Sequence, residues 1–271
     1  MTLSRYAALA LAAASLTACI STEPVATQDY GFVVLVGEPD GAGGSRISDP
    51  IAYFLRTSQI GLSETGVTQD NCEIGQIPGS SDPLPGLPYI DAGASVTVGT
   101  EGGPIVLARE TGANLILYTN EGAHAHAPGT AISATTTGAD GGFPAMTVSG
   151  TAAPAFTFQE VPVDPEGGAS EIVLTWDAPP AAVAGQTTMN VSLRYASDAT
   201  SLNRQIFCAL KDDGSATISA LLSDGWHNSQ NGLRDALFER IKIDLETNEG
   251  SRSTLVLFST YLQNEPAAAP Q

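Results

Sequence analysis

Apolar and polar residues alternate with a period of two over much of this chain, the spacing of a half-buried β-strand rather than of a helix. The pattern is sharpest in the second half. Over 172–176 it puts Ile172, Leu174 and Trp176 on one face, and over 189–195 it does the same with Val191, Leu193 and Tyr195. Residues 205–210 and 254–262 read as two more, largely apolar strands. The first half has strand patterns at 30–36, 95–99, 104–109, 114–119, 145–149 and 156–161. Segment 233–247 offers both periods. Leu233, Leu237 and Ile241 recur at helical spacing behind Asn231, which suits a helix cap. Ile241, Ile243 and Leu245 nevertheless alternate with Arg240, Lys242, Asp244 and Glu246, and this longer alternation predicts a strand over 237–247. Residues 217–223 read as ending in a single helical turn.

More than ten strands, with 28 glycines and 17 prolines to turn between them, predict an all-β chain of β-sandwich architecture. Pro162, Pro165, Gly167 and Gly168 crowd together and mark a boundary. The pattern therefore divides into two antiparallel sandwich lobes, 28–165 and 166–263, with one large sandwich as the alternative. The tail over 264–271 reads as disordered. Hydrophobic residues, at 42%, are enough to build a core, so the body is not a disordered chain. The 29 acidic residues outnumber the 11 basic ones and give a formal charge of −18. Phosphate backbones repel such a polyanion, which excludes nucleic acid as a partner.

The N-terminus has a different logic. Arg5 is a short positive region, residues 6–16 are an Ala/Leu-rich apolar run, and Leu16-Thr17-Ala18-Cys19 follows. This run is too short to span a bilayer, which takes about 20 apolar residues. The four-residue motif, placed after such a run, resembles the lipobox of bacterial lipoproteins. That resemblance implies that 1–18 is a signal peptide, that cleavage falls before Cys19, and that the Cys19 thiol carries a diacylglyceryl group. The membrane would then be a partner through the lipid, with 19–29 as a polar tether. Ile20 stands where an Asp would retain some lipoproteins at the inner membrane, so the resemblance points to the outer membrane, at its periplasmic face or the cell surface. Asp70-Asn71-Cys72, Asp91-Ala92-Gly93, Phe207-Cys208 and Asp212-Asp213-Gly214 also resemble segments of uncharacterised β-rich envelope lipoproteins, a family with no activity to lend.

Few residues point to chemistry. With Cys19 taken by lipid, Cys72 and Cys208 remain, and in an oxidising compartment two such thiols pair; two separately buried thiols are the alternative. Glu121, His124 and His126 are the candidate metal ligands, because two histidines at i and i+2 of a strand share a face. Gly122, Pro128 and Gly129 rim that segment as a loop, however, and no further acid follows it, so no metal is expected there. Asp40-Gly41 and Asp212-Asp213-Gly214 lack the acid spacing of an EF-hand and read as turns. No hydrolase, zinc-peptidase or phosphate-loop motif is present and no cofactor is expected. Any triad would have to use His124, His126 or His227. Trp176 alternates with core positions, whereas Trp226, after Asp224-Gly225, is left open between core and surface. The resulting expectation is a lipid-anchored bacterial envelope protein with a non-enzymatic binding, adhesion or structural role and a protein or glycan ligand. The alternative is an envelope hydrolase acting on polysaccharide through paired carboxylates.

Overall fold

A computed structural model describes residues 27–58, 60, 62–77, 88–112, 115–164, 170–198 and 201–266. Cys19, the signal segment, most of the tether, the end of the tail and the 165–168 part of the Pro/Gly cluster lie outside the described residues. The strands are β1 (Gln28–Pro39), β2 (Ser45–Ser48), β3 (Ile51–Thr57), β4 (Asn71–Gln76), β5 (Ser95–Gly99), β6 (Ile105–Thr111), β7 (Ile116–Thr119) and β8 (Ala123–Ala125). They continue as β9 (Ala131–Thr136), β10 (Thr147–Thr151), β11 (Ile172–Thr175), β12 (Thr187–Tyr195), β13 (Arg204–Lys211), β14 (Ser215–Ile218), β15 (Arg234–Asn248) and β16 (Ser253–Pro266). The α-helix α1 (Ala220–His227) follows β14. The chain is all-β, with a large multi-strand sheet and a second, two-stranded one, as a β-sandwich requires. Among the described residues no helix is long and apolar enough to cross a membrane.

Two compact units make up the chain. Unit 1 takes residues up to Glu64, then 78–152 and 243–259; unit 2 takes 65–77, 153–242 and 260 onwards. The boundary read near 165 is therefore displaced, and the units interleave instead of following one another as 28–165 and 166–263. The reason is that pairing partners are distant in sequence. β4, in the first half, pairs with β13, while β16 lies beside β1. A composition shift reports loops, not pairings.

In unit 1 the strand order is β10-β9-β5-β6-β7-β3-β1-β16, with antiparallel pairing from β10 through β1. Its core gathers Val33, Leu35, Phe54, Leu107, Tyr118 and Leu257. The intervening residues of the central strands, among them Phe32, Tyr53 and Val256, form smaller apolar clusters on the other face. Strand β1 is thus apolar on both faces, which explains its unbroken Phe32-to-Val36 run. Gly31 is required here: a Cβ would meet the Phe54 ring at 2.5 Å. The Tyr118 hydroxyl accepts from the Ala92 amide at 2.9 Å and reaches the Asp91 carboxylate at 2.9 Å, while Arg109 pairs with the other Asp91 oxygen at 2.9 Å.

In unit 2, β15-β12-β13-β4 form one antiparallel array and β11-β14 the small sheet. Both supply a single core, with Ile172, Leu174 and Trp176 from one side and Val191, Leu193, Ile206 and Phe238 from the other. Segment 237–247 is a strand, as its alternation predicts. Segment 156–161 is not: it makes one bridge, Phe158 to Trp176. Its neighbourhood is used differently, because the Pro154 and Ala155 carbonyls accept from Arg240 and the Phe156 carbonyl from the Gln263 amide. Strands β2, β3, β4, β8 and β9 lie outside the segments the pattern predicts.

Candidate functional site

Cys72 and Cys208 face each other in the β4–β13 register and form a disulfide, with Cα atoms 4.1 Å apart. Although 136 residues separate them in sequence, both belong to unit 2. The bond therefore staples one unit and does not bridge two lobes.

The three histidines are structural in their surroundings. His124, half-buried on β8, holds the Asn120 side chain through Nε2 at 2.8 Å. His126 follows the strand and is buried, its Nδ1 without a hydrogen-bond partner, and burial lowers its pKa and keeps the ring neutral. Glu121 is exposed. No group of three or more His, Cys, Asp or Glu side chains placed to hold a metal ion occurs among the described residues. His227 is buried at the end of α1, where its Nδ1 accepts from the Asp164 amide at 3.0 Å. That bond fixes the proton on Nε2, which donates to the Ser170 carbonyl at 3.0 Å and lies 3.2 Å from Ser170 Oγ. An Nε2 that carries the proton cannot remove one from the hydroxyl, so this contact ties α1 to Asp164 and Ser170. Trp226 is buried too, donating to the Pro162 carbonyl at 3.2 Å.

Asp40 closes its own turn, accepting from the Ala42 and Gly44 amides at 2.7 and 2.9 Å. Asp212 does more than turn the chain. Its carboxylate is buried and takes Arg240 Nε at 2.6 Å and Nη2 at 2.9 Å, and it also accepts from Trp176 Nε1 at 2.9 Å. The remaining Arg240 donors reach the Pro154, Ala155 and Asp177 carbonyls, and the guanidinium lies 4.9 Å from the Phe156 ring centroid. The alternation in β15 assigns Arg240 to a polar face, yet it is fully buried. Five donors with five acceptors make that burial tolerable.

The other face of the β15-β12-β13-β4 array is polar and is the candidate site. Core positions in β12 are Met189, Val191, Leu193 and Tyr195, so Asn190, Ser192 and Arg194 point the other way. Register sets Asp235, Arg194 and Gln205 in one row; Leu237, Ser192, Phe207 and Glu73 in the next; and Glu239, Asn190, Ala209 and Asn71 in a third. Asn71 and Glu73 are exposed, Ser192, Arg194, Gln205 and Phe207 are half-buried, and Asn190 and Glu239 are buried. Arg194 Nε binds the Asp235 carboxylate at 2.5 Å. Burial raises the Asp235 pKa against the pull of Arg194, and it pushes the Glu239 carboxyl up to about 7 against the same charge. Asp235 and Glu239 stand four residues apart on one strand, which spaces their Cα atoms by roughly 13 Å at about 3.3 Å per residue. Carboxylate pairs that cleave glycosides sit about 5 to 9.5 Å apart.

Sequence reading passed over these residues because each is an ordinary polar position of a strand. The signal was there in 189–195, where the alternation that predicts the core also lines up Asn190, Ser192 and Arg194 on the reverse. No protein-family model matches this chain, and no curated protein matches it.

Proposed function

We propose that this chain is a lipid-anchored bacterial envelope protein whose β-rich body binds a glycan and does not catalyse. The observation that carries the binding reading is the polar face of unit 2, where three side-chain amides, a hydroxyl, an Arg–Asp pair and a phenyl ring share one sheet surface. Amides and ion-paired carboxylates match the paired hydroxyls of a sugar, and a ring such as Phe207 covers its C–H face. The −18 charge disfavours polyanionic glycans, so the ligand class is a neutral oligosaccharide. The Asp235–Glu239 separation weighs against the hydrolase alternative. The anchor rests on Leu16-Thr17-Ala18-Cys19.

Titration calorimetry of the soluble Cys19→Ser chain against neutral envelope oligosaccharides tests the binding reading. Phe207→Ala and Gln205→Ala are each expected to weaken binding by about tenfold or more, a loss of roughly 1.4 kcal/mol. Binding unaffected by both variants would remove this face from consideration. The anchor is tested separately: wild-type protein takes up radioactive fatty acid in a bacterial host, and Cys19→Ser does not.

A further inference from the structure

Strand β4 is the outermost strand of unit 2's array, and among the described residues it pairs on one side, with β13. Very little apolar surface fastens it. Of the side chains on its inward face, Cys72 packs on the core, Ile74 stays 42% exposed and Gln76 is exposed, while Val67, ahead of the strand, is 37% exposed. Beyond the ladder to β13 over 71–76, polar bonds tie the segment to unit 2. The Gly66 amide donates to the Gly185 carbonyl at 2.9 Å, the Val67 amide to Thr188 Oγ1 at 3.2 Å, and the Lys211 amide to Asp70 Oδ1 at 2.9 Å. A short two-stranded pairing with so little buried area is marginal by itself. Against this, Cys208 is fully buried in the unit 2 core, so the disulfide ties β4 to the best-packed part of its neighbour.

We propose that the Cys72–Cys208 disulfide is a thiol-sensitive latch: its reduction releases 65–77 from unit 2 and uncovers the β13 edge, while the remaining core stays folded. A dithiol supplies the electrons. One of its thiolates attacks the half-buried Cys72 Sγ, breaking the S–S bond, forming a mixed disulfide and releasing Cys208 as a thiolate that takes up a proton. The second thiol of the reagent then closes the reagent's own disulfide and releases Cys72 as a thiol. The protein disulfide is reduced to two thiols, the dithiol is oxidised to its own disulfide, and both cysteines end protonated. The released strand leaves β13 from Arg204 to Lys211 with one row of unpaired main-chain groups, the kind of edge that accepts an added strand. Release would also carry Asn71 and Glu73 away from the polar face, but the latch is read by hydrogen exchange without glycan and so stands or falls separately from the glycan reading.

Hydrogen exchange of the whole chain, oxidised and then reduced with dithiothreitol, tests it. On reduction, amides of 71–76 and their β13 partners are expected to exchange on the order of 100-fold faster, while β12 and the core half of β15 keep their protection. Reoxidation with glutathione disulfide restores the oxidised pattern, and Cys72→Ser with Cys208→Ser shows the reduced pattern without reagent. Unchanged protection of 71–76 after reduction would overturn the proposal, because β4 would then hold without the bond. Loss of protection throughout unit 2 would overturn it equally, since the bond would be a general staple. Reduction of the wild-type protein decides the matter even where the double variant fails to fold.

Discussion

Arg240 is a full charge at zero exposure, and the five acceptors around it are what make it a stabilising residue. Removing the cation alone leaves the Asp212 carboxylate buried and unpaired, so Arg240→Met should cost about 3–5 kcal/mol in urea denaturation. Arg240→Met with Asp212→Leu should cost less than Arg240→Met alone, because no charge is then stranded; a larger loss would mean that the acceptors, not the pair, dominate. Glu239 acts in the opposite sense. Its folded pKa, about 7, lies above the ordinary 4.5, so the folded state holds its proton more tightly than the unfolded chain does. Between about pH 4.5 and 7 the native form binds more protons, and this residue's contribution therefore falls as pH rises through that window, by an amount on the order of 3 kcal/mol. Subtracting the stability of Glu239→Gln from that of wild type at each pH isolates it. A difference that stays flat from pH 4.5 to 7 would show that the carboxyl is not held up.

At the scale of elements, the strands that announce themselves are those with one wet and one dry face. β12 alternates cleanly because its reverse side, Asn190, Ser192 and Arg194, is polar, and its pattern predicts both the core and, read backwards, the candidate site. β4 was not legible: Asn71-Cys72-Glu73-Ile74-Gly75-Gln76 has neither a buried face nor a strand-forming composition, and only its ladder to β13 and its disulfide make it a strand. Segment 156–161 is the reverse case, with strand composition but a single bridge beside β11, while the Ala155 and Phe156 carbonyls serve Arg240 and Gln263. In β1 the spacing between strands is set by a single residue. Gly31 faces the Phe54 ring and Leu255, both fully buried, and an added methyl has nowhere to go. Gly31→Ala should destabilise by about 1–3 kcal/mol through overpacking, measured as a lower urea midpoint at unchanged slope. Gly31→Ala with Phe54→Leu should recover part of that loss, which a purely conformational effect of the glycine would not allow.

For the molecule as a whole, the all-β class follows from the period of the pattern and the density of turn residues, both local properties. Division into units does not, because it depends on which distant segments pair. Unit 2 draws 65–77 from the first half of the chain, and its core needs Ala153, Phe156 and Val161 from ahead of the Pro/Gly cluster at 162–168. A fragment cut at that cluster, residues 166–263, would lose all of these together. It would also lose β4, leaving Cys208 without its partner and β13 with an open edge, and two of the carbonyls that satisfy Arg240. The buried guanidinium would then keep its charge with fewer acceptors, a cost of about 1–3 kcal/mol for each group left unsatisfied, on top of the missing core. Expressed alone, 166–263 should therefore show no cooperative thermal transition and little amide protection, while 27–266 shows both. A fragment that melts cooperatively would mean that the contributions of 65–77 and 153–164 are dispensable, and that the contiguous division is the physical one after all.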